Sequence, residues 1–177
     1  MLTPTNSDAL LKRIDEELTK LKEPRVLIAC GGGALIAMKV VERRTRDLDI
    51  ISPEIDPILK EIAVRLAQEF GLSSDWLNNG PASLARDLTS GWKKRTVSIF
   101  RGRNLELKAL GREDLLATKL YAFCDREDDF EDVLKLKPTS EELNKILPWV
   151  LVRDASPLWP DRVKTCFERV KKRLSLE

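Results

Sequence analysis

The stretch from Val26 to Ile51, VLIACGGGALIAMKVVERRTRDLDII, sets the tightest limits on how this chain can fold. An apolar run leads into three consecutive glycines, a helix-like segment follows, and an alternating run closes it with Asp47 and Asp49. A strand puts residues i and i+2 on one face, so both carboxylates point one way while Leu48 and Ile50 point into a core. Two such carboxylates repel each other in the absence of a cation, and a divalent metal is the usual reason to keep them together. The glycines leave bare backbone N–H groups at a predicted helix start, where an anion can bind. A metal and a phosphate together point to chemistry on a nucleotide.

One absence narrows that chemistry: the chain has no histidine. His-dependent triads, His-ligated zinc and imidazole bases are excluded, which leaves carboxylates, Lys, Arg and a metal. Cys30, Cys124 and Cys166 are odd in number and far apart, which fits reduced thiols better than a disulfide or zinc framework. The length, 177 residues, suits one domain with a core, or a domain plus a small helical extension. A net charge of +2 is too small to imply nucleic-acid binding by itself. No apolar run approaches a membrane span and Met1–Leu10 lacks a signal-peptide pattern, so a cytoplasmic location is expected.

In chain order, Leu10, Leu11, Ile14, Leu18 and Leu21 predict a helix over Thr5–Leu21, capped by Asn6 or Ser7. Arg25–Cys30 reads as a buried strand, Ala34–Val41 as a helix and Asp47–Ile51 as the next strand. Asp56 and Pro57 start a helix that Gly71 ends. Gly71–Gly91 reads as loop with a short helix, and Thr96–Phe100 with Leu105–Leu110 as a hairpin. Glu113–Phe123 is a helix, Thr139 and Glu142 form a capping box for another that Pro148 interrupts or kinks, and Pro160 opens the last. The expected fold is α+β: a small mixed sheet packed with helices over residues 1–111, then a helical region over 112–177.

Taken singly, the glycines fit a tight strand-to-helix turn, and neither a P-loop nor G-x-G-x-x-G is present. Asp47 and Asp49 alone fit a solvated strand start. The combination carries more: strand, Gly-Gly, short helix, then Arg44-Thr45-x-Asp47-x-Asp49. This order resembles the nucleotidyltransferase superfamily related to DNA polymerase β. The segments CGGGAL, RTRDLDI, NNGPASLARDL, GREDLLATKLYAFCDRE, DFED, KPTSEEL and PLWP are further similar to a bacterial branch close to the AbiEii-type toxins of type IV toxin–antitoxin systems.

The resemblance implies a sheet of nucleotidyltransferase type. It implies Gly32 and Gly33 against the phosphates of an NTP, with Asp47 and Asp49 holding Mg²⁺ or Mn²⁺. The superfamily usually adds a third carboxylate, for which Glu106 on the second hairpin strand is the candidate; a solvent-facing Glu on an edge strand is the alternative. Thr45, Lys119, Arg126 and Asp129 match nucleotide-binding positions, although Asp128 stands where related sequences often carry a basic residue. On one continuous helix Lys119, Arg126 and Asp129 would share a face. They would then either meet triphosphate charge or form a buried ion-pair network.

Three functions follow as expectations. The first is transfer of NMP from an NTP to a hydroxyl of RNA or protein, in a toxin with an antitoxin partner. The second is a catalytically silent nucleotide- or partner-binding protein on the same scaffold. The third is RNA binding through Trp92, Lys93, Lys94, Arg95, Arg101 and Arg103 around the hairpin. The basic residues of the last helix are explained by the helix macrodipole.

Overall fold

The computed structural model describes residues 1–176, without the side chains of Pro4 and Thr5. It divides into two compact units, Met1–Gly111 and Arg112–Glu177.

The first unit is built on a five-stranded mixed sheet. Helix α1 (Pro4–Leu21) precedes strand β1 (Arg25–Cys30), and helix α2 (Gly31–Ala37) leads to strand β2 (Leu48–Ser52). Helix α3 (Pro57–Phe70) and the two-residue strand β3 (Leu77–Asn78) follow. Two 3-10 turns (Ala82–Arg86 and Trp92–Arg95) then lead to the hairpin of β4 (Val97–Arg101) and β5 (Leu105–Ala109). The strand order is β3-β2-β1-β5-β4. β1 runs antiparallel to β2 and parallel to β5, while β3 adds to β2 in parallel.

The alternation of the strands decides where the core lies. Leu27, Ala29, Ile50, Leu105, Leu107 and Ala109 are buried with Leu10, Ile14 and Leu18 of α1 and Leu59, Ile62 and Leu66 of α3. Each fully buried Leu or Ile contributes roughly 1.5–3 kcal/mol, so this layer holds the sheet under its two long helices.

Local chemistry moves several boundaries from their sequence-based positions. Thr3, not Asn6 or Ser7, caps α1: its side chain accepts from the Asn6 N–H, and the Asn6 side chain accepts from the Thr3 N–H. Pro4 then takes the first turn, where its missing N–H costs nothing. Helix α2 begins in the glycines and ends before Lys39, whose φ of 59° is left-handed. The predicted loop after Gly71 contains β3, too short to leave a periodic signal.

The second unit is helical: α4 (Arg112–Arg126), α5 (Phe130–Leu136), α6 (Ser140–Leu151) and α7 (Trp159–Leu174). Lys119 and Asp132 do not lie on one continuous helix. Glu127 turns left-handed with φ 65°, and α5 starts afresh with Asp129 as its N-cap residue. The Thr139–Glu142 capping box forms, and α6 continues through Pro148 to Leu151. Among the described residues no helix is long and apolar enough to cross a membrane.

Candidate active site

The site begins where β1 ends. Cys30 is in register with Asp49 on β2, and Asp49 with Asn78 on β3, so one row of the sheet crosses all three strands. Leu48 is buried between Asp47 and Asp49, which are both half-buried. The sequence pattern of two carboxylates flanking an inward leucine is therefore present. Asp47 lies one residue outside the strand, and Thr45 Oγ1 stands 3.5 Å from its Oδ1. The Thr45 backbone is held in turn by reciprocal hydrogen bonds with Leu2 of 2.8 and 3.0 Å. Thr45 thus contacts Asp47 directly.

The three glycines have three different reasons. Gly31 has a left-handed φ of +68°, and a Cβ there would fall 2.6 Å from Asp49 Oδ2. At Gly32 a Cβ would fall 2.6 Å from Arg43 Nη2. At Gly33 it would meet backbone, 2.6 Å from the Asp47 carbonyl oxygen and 2.9 Å from Leu48 Cα. Gly33 is bare because α2 rests on the start of β2, so its packing role is explicit. Gly31, which the sequence reading left out of the candidate set, is the glycine that touches an aspartate carboxylate.

A second loop reaches the same carboxylate. A Cβ at Gly80 would lie 2.9 Å from Asn78 Oδ1 and 4.0 Å from Asp49 Oδ1. The Asn78 side chain accepts from the Gly80 N–H at 2.7 Å. Asn79 fastens the loop to β2, donating to the carbonyls of Ile50 and Pro53 and accepting from Ile55 N–H. The Asn78-Asn79-Gly80 run was the available sequence signal, but it reads as a generic turn until β3 is known.

Glu106 is not brought to the aspartates. β5 pairs Glu106 with Val26, whereas Asp49 is level with Cys30, four residues further along β1. At about 3.3 Å per residue that is roughly 13 Å along the sheet, plus the width of two strand spacings. The backbone N–H of Leu110, not a carboxylate, bonds Ala29 near the Asp49 end. Glu106 instead accepts from Arg101 Nη2 at 2.8 Å, and this bond holds its carboxyl below the usual carboxylate range. Among the described residues no group of three or more acidic, Cys or His side chains is gathered to hold a metal.

In the second unit Lys119 is 5% exposed, and its amino group donates to Asp129 Oδ1 at 2.5 Å and Asp132 Oδ2 at 2.7 Å. Arg126 reaches Asp129 Oδ2 at 3.4 Å with most of its side chain in solvent. The Lys119, Arg126 and Asp129 set forms an ion-pair network across the α4–α5 turn. Of the hairpin cations, Lys93, Lys94, Arg101 and Arg103 are exposed. Arg95 is drawn inward to Thr89 and the Ser90 carbonyl.

With this geometry in place, comparison with known families is decisive. The family described as a nucleotidyltransferase of unknown function (DUF6036) matches residues 9–153. The chain belongs to this family. The match spans the whole sheet and runs to the end of α6, so it covers the glycine turn, the Asp47–Asp49 strand and the Lys119 network together. No curated protein and no solved structure matches the chain.

Proposed function

We propose that this nucleotidyltransferase-family protein transfers NMP from an NTP to an acceptor hydroxyl of RNA or protein, using Asp47 and Asp49 to hold Mg²⁺ or Mn²⁺. The observation that carries the reading is the pair of half-buried carboxylates around Leu48, one of them against Gly31, inside a nucleotidyltransferase-family match. Two carboxylates are a donor set that Mg²⁺ accepts, leaving its other positions to water and phosphate oxygens. When bound, the metal supplies charge neutralisation at the phosphates.

The protein's own contribution is placement. Thr45 orients Asp47, the β2 ladder fixes Asp49, and the Gly31 and Gly80 backbones leave space around the Asp49 carboxylate. In the transfer the acceptor oxygen bonds the α-phosphorus as the bond to the bridging oxygen breaks, and its electron pair leaves on pyrophosphate. The acceptor proton passes to solvent. Labelled NTP incubated with Mg²⁺ and cell extract should yield a labelled macromolecule that Asp47→Asn and Asp49→Asn both abolish. Labelling that survives both changes overturns the proposal.

The position of Glu106 favours one second reading, a protein that binds a nucleotide without turning it over. Calorimetric binding of Mg²⁺ with ATP, GTP, CTP or UTP, with no transfer to any extract component, would select it. An AbiEii-type toxin role with an antitoxin partner, acting in the cytoplasm, rests on motif resemblance. Growth arrest on expression, relieved by Asp49→Asn, is its test.

A further inference from the structure

A nucleoside triphosphate brings about four negative charges to a site, and two aspartates add more. A single divalent ion does not balance that charge, so the fold must present a cation of its own. Lys119 is enclosed by Asp129 and Asp132 in the second unit. In the first unit, the guanidinium that the structure lays on the glycine turn belongs to Arg43. Its Nη2 lies 2.6 Å from where a Gly32 Cβ would be, while the neighbouring glycine, Gly31, is met in the same way by Asp49 Oδ2. Arg43 is also exposed, and its Nη1 donates to the Arg44 carbonyl at 3.2 Å, which aims the side chain back along its own turn.

We propose that Arg43 is a substrate-positioning residue that binds the β- and γ-phosphates of the NTP, the part that leaves as pyrophosphate. The inference rests on the nucleotidyltransferase reading above and deepens it. A planar guanidinium with several N–H donors matches phosphate oxygens two at a time. Gly32 then has a reason beyond backbone geometry: its missing side chain is the space in which the guanidinium lies. Of these adjacent glycines, Gly31 faces the Asp49 carboxylate and Gly32 the Arg43 guanidinium.

Inorganic pyrophosphate with Mg²⁺, titrated calorimetrically into the full chain, tests this without knowledge of the base. Arg43→Gln should weaken binding about tenfold or more, the scale of a charge-assisted hydrogen bond, and Arg43→Lys should lose less. AMP with Mg²⁺ should bind equally to wild type and Arg43→Gln. Gly32→Ala tests the placement itself. The nearest atoms its methyl meets are the far end of a flexible side chain, so the protein should melt as wild type does while pyrophosphate binding falls. Unchanged pyrophosphate binding in Arg43→Gln, with binding lost in Asp49→Asn, overturns the role of Arg43 and leaves the metal reading standing. A wild-type protein that binds neither pyrophosphate nor any of the four NTPs overturns both.

Discussion

Asp15 of α1 fills the space that a side chain at Gly102 would need, and the Gly102 turn closes around the carboxylate. Backbone N–H groups of Arg103, Asn104 and Leu105 donate to its two oxygens at 3.0, 2.7 and 2.8 Å. One side chain thereby docks the β4–β5 turn on the first helix. Partial burial pushes the Asp15 carboxyl up, but the three backbone donors outweigh it and hold the group below its usual value of 3.8.

A carboxylate with a lowered folded pKa stabilises fully above its unfolded pKa, and that contribution is lost as pH falls through the folded value. Urea denaturation should therefore show wild type losing stability below about pH 4. Asp15→Ala should cost about 1–3 kcal/mol at pH 7 and flatten this part of the pH dependence.

Gly33→Ala and Gly32→Ala separate two kinds of tight contact. At Gly33 the added methyl meets the Asp47 carbonyl and Leu48 Cα, which cannot swing aside. The variant should lose about 1–3 kcal/mol in thermal or urea denaturation, and Mn²⁺ binding measured by paramagnetic resonance should weaken with it. Gly32→Ala should leave stability within about 0.5 kcal/mol of wild type.

Lys119→Met should be among the most damaging changes in the second unit. It removes the Lys119 ammonium from the buried Asp129 and Asp132, leaving Asp129 its 3.4 Å contact with the exposed Arg126, and the expected cost is about 3–5 kcal/mol by chemical denaturation. Adding Asp129→Asn and Asp132→Asn should recover a large part of that loss, since the stranded charges are then removed.

Glu106→Gln should leave NMP transfer within about threefold of wild type, well under the effect of one full pK unit. Asp47→Asn and Asp49→Asn should each abolish transfer in the same labelled-NTP assay. A large loss in Glu106→Gln alone would show that it reaches the reacting phosphate despite its register.

What the sequence carried plainly was whatever depends on neighbours in the chain. Strand Arg25–Cys30, the Asp56 cap and Gly71 terminator of α3, and the Thr139 capping box are all local effects, and all appear. Glu106 shows the limit. Alternation tells which face of a strand a residue takes, but not how far along the neighbouring strand it pairs. Glu127 shows another: a left-handed turn without Gly or Asn is imposed by tertiary contacts, here between α4 and α5. Arg43 was hidden for a third reason, because one of three nearby arginines becomes distinct only when its contact with Gly32 is seen.

β2 lies inside the sheet, with β1 on one side and β3 on the other, yet it starts at Leu48. The two aspartates of the candidate site are therefore mechanically unequal. The Asp49 backbone is paired on both sides, whereas Asp47 lies one residue before the strand, with its carbonyl packed against Gly33. In amide exchange Asp49 should be slow and Asp47 fast, and a bound cation should slow Asp47 alone. In the metal site proposed above, one carboxylate ligand would be set by sheet pairing and the other by its contact with Thr45 and the packing of α2.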